Sequence, residues 1–467
     1  MSADHVGEDA HEQAVEFFTH RRPDRAERRA RGKRLRAQVP LAAHAEVPPA
    51  SKRRDPVEIL KGQEAVREQS LVALRYERMS VSPFTFLRGA AAVMASDLSM
   101  VPQTPIDNQL CGDAHLSNFG MFASGDRRLV FDLNDFDETL PGPFEWDVKR
   151  LAASVAVAAF SLGLNDKDAR KAARSAVGAY RETMARLAEL PTLDVWFARL
   201  DVDGLIDEAG KTELAKAARQ ARKKSRTRTS DTATEKLTER GPAGRQFRTE
   251  PPILVRVGDD QRDEVVARLT SLYTKYLGTL PPDRVALLAR YSFVDVAHKV
   301  VGVGSVGTRA LVLLLESGDG EPLMLQVKQA GESVLAPYLG ASRFAHGGQR
   351  VVLGQQAMQA TGDPFLGWAS GLDRDYFVRQ LKDMKGSIEP DLLSATSLRQ
   401  YARLCGAVLA RAHARTGDPS LIAGYLGDES TFDKAVAEFA VGYAAITDAD
   451  HSALLASMRD ADVASVD

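Results

Sequence analysis

Between Cys111 and Asp147 the sequence gathers Asp113, His115, Asn118, Asp132, Asn134, Asp135, Asp137, Glu138 and Asp147. Carboxylates this close repel one another and are costly to bury, so a shared cation or paired basic side chains must hold them together. Magnesium is the natural candidate, because it takes carboxylate and amide oxygens and completes its shell with water and phosphate. An EF-hand loop starting at Asp132 fails, since Phe136 and Asp137 stand where that loop needs an oxygen ligand and a glycine. Zinc fits poorly too. His115 is the one nearby histidine, HExxH is absent, and Cys111 has no partner at ligand spacing. Capped turns, in which Asp and Asn bond their own backbone, explain some of these residues but seldom so many.

A second cluster lies nearly two hundred residues on. VGVGSVG sets Gly302, Gly304 and Gly307 in a GxGxxG pattern, where missing side chains let backbone amides approach phosphate. A dinucleotide fold needs a helix directly after such a loop, but TRALVLLLES has the composition of a strand. PLMLQVKQA then places Lys328 near the end of an apolar strand, and Walker A is absent. Alone, the bland reading of this cluster is a glycine-turned hairpin with a snorkelling lysine.

Taken together the motifs resemble the aminoglycoside-phosphotransferase and choline-kinase branch of the protein-kinase-like superfamily. GDAHLSN is similar to its HGDxHxxN catalytic loop, NDFDE to its metal-binding segment, and GPFEWDVKRLA to a later helix start, with Asp147 at the acidic position. The resemblance implies that Asp113 orients or deprotonates an acceptor hydroxyl, and that Asn118 and Asp135 hold magnesium on nucleotide phosphates, with Asp137 and Asp132 as further choices. It also implies ATP contacts from Gly302, Gly304, Gly307 and Lys328, since PLMLQVK resembles the V-A-I-K strand. Cys111 replaces the usual first histidine of the loop. No glutamate is an obvious partner for Lys328: Glu332 is close in sequence, and GQRVVLGQQAMQA offers glutamines. Over about 55 to 460 the chain further resembles a bacterial family known as domain of unknown function 2252, through strings such as RYERMSVSPFTFLRG and DYFVRQLKDMKGS.

Kinases carry the glycine loop and lysine ahead of the catalytic loop, whereas here they follow it. The expectation is therefore an α+β, two-lobed, protein-kinase-like fold in circularly permuted order. YARLCGAVLARAHARTGD supports it, because it resembles the helix leading into the catalytic loop yet lies near the C-terminus. The expected divisions are a flexible basic arm over 1–54, a helical catalytic lobe with the metal site and a helical insert over 55–284, a strand-rich nucleotide lobe over 285–390, and C-terminal helices over 391–467 packing on the catalytic lobe. Asp55–Pro56 and Ser82–Pro83 read as helix starts, and LVFDL as a buried strand.

At 467 residues the chain is long enough for two lobes meeting in a cleft. A formal charge of -2 argues against a surface devoted to nucleic acid, and two cysteines, Cys111 and Cys405, exclude a disulfide scaffold. The sequence shows no secretory signal and no bilayer-length apolar run, which reads as cytoplasmic. The expected activity is ATP- and magnesium-dependent transfer of phosphate to a hydroxyl of a small molecule or protein. A catalytically silent nucleotide-binding scaffold and a metal-dependent phosphate-ester hydrolase are the alternatives. Acceptor specificity is expected in the insert from about 155 to 250, and Arg379, Lys382 and Lys385 are candidate phosphate contacts. His298, His346 and His413 receive no catalytic role.

Overall fold

The computed structural model describes residues 14–464, apart from 17, 210–211, 227–229, 242–243, 259 and 382–384, so Lys382 lies outside the described residues. The basic run near the N-terminus, expected as a flexible arm, forms helix α1 over Arg25–Leu35, started by a reciprocal capping box between Asp24 and Glu27. Small residues let α1 dock on the helix at Pro419–Leu426: a Cβ on Gly32 would lie 2.1 Å from the Leu421 carbonyl oxygen. Arg36 donates to the Tyr425 and Gly424 carbonyls, and Arg28 pairs with Asp418. Charge that reads as a solvated tail is used to attach the segment to the C-terminal helices.

Behind α1, His44 is buried and shares a hydrogen bond of 2.6 Å with the Tyr425 hydroxyl. Burial, with the Lys149 charge adding to it, holds its imidazole down to about 3. An unfolded chain takes up that proton near 6.5, so from pH 6.5 down to 3 the unfolded state binds a proton the folded state refuses. This contribution to stability is therefore lost as pH falls. His44→Gln, which can still bond Tyr425, is expected to remove roughly 3 kcal/mol of the acid destabilisation seen at pH 4. Urea midpoints of both proteins at pH 7 and pH 4 check it.

Asp55 and Pro56 start a helix as expected, with Asp55 accepting from the Val57 and Glu58 amides, but that helix stops at Lys61 and the run resumes as α2, Val72–Ser80. The following run divides as well. Ser82 caps α3, Pro83–Gly89, and the chain bends at Ala90 before α4, Ala91–Leu98. Met79 fills the space a Cβ on Gly89 would need. Two carbonyls in the last turn of α3 accept from arginines, Leu87 from Arg150 at 2.6 Å in addition to the Ala90 amide, and Gly89 from Arg75 at 3.3 Å.

Strand β1, Asp107–Leu110, leads to a hairpin of β2, Phe119–Ala123, and β3, Leu129–Leu133, and then to β4, Leu140–Pro143, which returns antiparallel to β1. The expected strand LVFDL is β3. Helix α5, Glu145–Ser161, is buried along nearly its whole length and apolar on most of its faces, the pattern of a helix at the centre of a core. It packs against α6, Asp166–Leu187.

After the small hairpin of β5, Thr238–Gly241, and β6, Gly244–Phe247, the chain builds an antiparallel sheet with α7, Arg262–Leu277, on one face. Its strands are β7, Leu254–Arg256, β8, Tyr291–Lys299, β9, Ala310–Ser317, and β10, Pro322–Gln329; after helix α8, Gly347–Met358, come β11, Gly367–Gly371, and β12, Arg374–Gln380. The order across the sheet is β11-β12-β10-β9-β8-β7. It starts well before the boundary expected near residue 285, because β7 is too short to show alternation. On β10, Leu323, Leu325 and Val327 pack with Leu269, Leu272 and Tyr276. The two-residue period therefore turns Gln326 and Lys328 to the opposite face.

The chain ends in α9, Ala395–Thr416, α10, Pro419–Leu426, and α11, Thr431–Ala464, which join the core around α5 and α6. Gly406 of α9 sits where a Cβ would come within 2.0 Å of the Ala176 carbonyl oxygen, so the close approach of α9 to α6 depends on a bare backbone. The architecture is α+β, with a distinct helical region and a multi-strand sheet region. No described helix is long and apolar enough to cross a membrane.

Candidate active site

The CGDAHLSN loop leaves β1 through Gly112, at φ +83°, where a Cβ would meet the Glu138 carbonyl oxygen at 2.3 Å. Asp147, in the first turn of α5, accepts from the Cys111 amide at 2.8 Å and the Gly112 amide at 3.1 Å. His413 of α9 approaches the same carboxylate at 3.2 Å. One buried carboxylate thus fixes the root of the loop, which makes Asp147 a positioning residue. Cys111 is buried, and burial pushes its thiol well up. Its part is packing.

Arg150, one turn along α5 from Asp147, donates to Asp113 Oδ1 from Nε at 2.9 Å and Nη2 at 2.7 Å. Asp113 Oδ2 is left facing His115 Nε2 at 3.5 Å. Burial pushes the Asp113 carboxyl up to about 6, against the pull of Arg150. Burial also holds His115 well below its ordinary value, with Arg88 and Arg150 adding to the effect. Asn118 donates from Nδ2 to the Asp113 carbonyl at 2.5 Å, and its own carbonyl accepts from the Asn134 amide at 2.9 Å. The loop and the acidic turn after β3 are tied together by that bond.

In the acidic turn the residues separate by role. Asp132 faces away: it is ion-paired with buried Arg411 of α9 and accepts from the Leu133 amide, which removes it from the metal candidates. Burial alone would raise Asp135, but the charges of Lys328 and Arg379 outweigh it and hold the carboxyl down to about 2. Asp137 is raised by burial and by the Asp135 charge, with Lys328 opposing. Lys328, itself almost wholly buried, forms an ion pair with Asp137 Oδ2. The lysine's partner is thus an aspartate of the acidic turn. Glu332 is exposed, and α8 sends in Arg350, which donates to the Asp137 and Thr139 carbonyls at 2.7 Å each.

The glycine loop joins β8 to β9 as expected, with Gly302 at φ +71° and Gly307 at φ +88°. Its carbonyls are held from below: Arg78 donates to Gly302 at 2.6 Å, and Arg67 to Gly304 at 2.9 Å and Val306 at 2.5 Å. Gly302 and Gly304 line one cavity with Asp113, Asn118, Asp135 and Asp137, about 740 Å³ of open space counting its mouth. Gly307 sits apart from the lining, against Arg67. Asn118, Asp135 and Asp137 offer hard oxygen donors, and Asp137 Oδ1 is a buried oxygen with no hydrogen-bond partner. That donor set suits magnesium, which accepts a partial protein shell, better than zinc. Among the described residues no three His, Cys, Asp or Glu side chains by themselves form a metal cluster.

Residues 67–457 match the family described as uncharacterized protein conserved in bacteria (DUF2252). The chain belongs to that family. No curated protein and no solved structure matches it.

In this DUF2252 protein the described residues of the expected insert, 155 to 250, are not part of the cavity lining, whereas Gln63, Arg67, Arg88 and Ala91 are. Arg379 and Lys385 line a smaller neighbouring pocket with Asp363 and Gln359. Burial, with Arg379 alongside, lowers the Lys385 ammonium to about 7. Arg67, Arg88, Arg150 and Arg350 were not legible as site residues, since arginines at helix ends and in charged runs are ordinarily solvated.

Proposed function

We propose that this DUF2252 chain is an ATP- and magnesium-dependent phosphotransferase of protein-kinase-like, circularly permuted architecture, acting on a hydroxyl of a small molecule or protein. The observation that carries the reading is the joining of motifs 191 residues apart by the Lys328–Asp137 ion pair, at a cavity shared by Asp113, Asn118, Asp135 and the glycine loop. Asp113 has one oxygen locked by Arg150 and the other facing its neighbour His115, so it is held to accept the acceptor's proton at Oδ2 as the new oxygen–phosphorus bond forms and the bond to ADP breaks. Lys328 and the amides of the glycine loop offset phosphate charge. Asn118, Asp135 and Asp137 would hold magnesium, which when bound neutralises phosphate oxygens.

A silent nucleotide-binding scaffold is favoured by one observation, that the Lys328 ammonium is already engaged by Asp137. Calorimetry of ATP binding, with and without magnesium, tests the common part of both readings. Wild type is expected to bind in a magnesium-dependent manner, and Asp135→Ala and Lys328→Ala each to weaken binding by about tenfold or more, the worth of a charged contact. Absence of binding by wild type would transfer the weight to the hydrolase reading, for which phosphatase activity without nucleotide is the signature. ATP turnover over binding alone separates enzyme from scaffold.

A further inference from the structure

The cavity contains a cation whose charge acts on Asp113 but which forms no ion pair with it. Arg88 lines the same cavity as Asp113, Asn118 and Asp135, yet it has no hydrogen-bond or ion-pair partner among the described residues, and its Nε is buried. A buried guanidinium nitrogen without a hydrogen-bond partner is costly, and Arg is the side chain best shaped to meet phosphate oxygens.

Its position is set from both sides. The carbonyl of the preceding residue, Leu87, accepts from Arg150 Nη2 at 2.6 Å, and the same nitrogen donates to Asp113 Oδ1 at 2.7 Å. One guanidinium therefore ties the α3 end to the candidate base. On the other side, a Cβ added to Gly304 would lie 3.1 Å from the Arg88 carbonyl oxygen, so the glycine loop rests on the Arg88 backbone. Arg88 stands between the residue that would take the acceptor's proton and the loop that would hold the nucleotide phosphates.

We propose that Arg88 binds the terminal, transferred phosphoryl group of the nucleotide. This inference rests on the phosphotransferase reading but concerns a residue outside its motifs.

The test is calorimetric titration of wild type, Arg88→Ala and Arg88→Gln with a non-hydrolysable ATP analogue and with ADP, each with magnesium, after circular dichroism shows which variants fold. Both substitutions are expected to weaken the triphosphate analogue by about 10- to 100-fold while ADP binding stays within about twofold. Equal loss for both nucleotides, or loss for neither, overturns the assignment and leaves the phosphotransferase reading intact. If wild type binds neither nucleotide, that reading fails, and inorganic pyrophosphate becomes the probe. Pyrophosphate bound by wild type and lost in the variants keeps Arg88 as a phosphate site, and any other result overturns it.

Discussion

Asp113→Asn is expected to lower ATP turnover by about 10²- to 10⁴-fold, the range for loss of a general base, with magnesium-dependent ATP binding nearly unchanged. The separation is expected because Asp113 is held by Arg150, whereas Asp137 is the residue paired with Lys328, so on the proposed reading the substitution leaves the nucleotide contacts in place. Asparagine keeps the shape and can still accept from Arg150, so the loop root held by Asp147 stays in place. Consumption of ATP, to water if no acceptor is supplied, is the readout, paired with calorimetry on the same preparation. Turnover equal to wild type would remove Asp113 from the chemistry. Loss of binding together with turnover would mean that the substitution had disturbed the cavity as a whole.

Arg411→Met is expected to cost about 3–5 kcal/mol of stability, because it strands the Asp132 carboxylate in the core. Both side chains are buried to within a few per cent: Asp132 is 4% exposed and Arg411 2%. The arginine also donates to the Met358 carbonyl at 2.8 Å, which ties the end of α8 to α9. Burial raises the Asp132 carboxyl, with Arg411 opposing, so removing Arg411 drives it towards the protonated form. A double variant, Asp132→Leu with Arg411→Met, is expected to recover most of the loss, since two apolar groups leave no uncompensated charge. Urea denaturation of the three proteins decides: equal destabilisation by the single and double changes would mean that packing, rather than the stranded charge, sets the cost.

These expectations draw unequally on sequence and structure. The acidic turn, the glycine loop and the two strands LVFDL and PLMLQVKQ were legible because each is local. Glycine supplies positive φ, Ser82 and Asp55 cap the helices that follow them, and alternation on β10 fixes which face carries Lys328. Other parts were misread for the same reason. A helical pattern over 83–98 does not reveal a bend whose carbonyls accept from Arg75 and Arg150, and a basic run does not reveal that Gly32 allows α1 to dock.

What the sequence by itself determined is therefore the inventory: which residues carry clustered oxygen donors, where glycines free the backbone, and which segments are helix or strand. Tertiary structure alone decided the pairing. Asp132 and Asp137 are near neighbours of the same residue type, but one is ion-paired with Arg411, 279 residues away, and the other with Lys328, 191 residues away. Direction of the side chain out of β3 and the turn after it selects between a buried structural ion pair and an oxygen at the cavity. That choice depends on which distant elements close over each face, and local spacing carries no record of it.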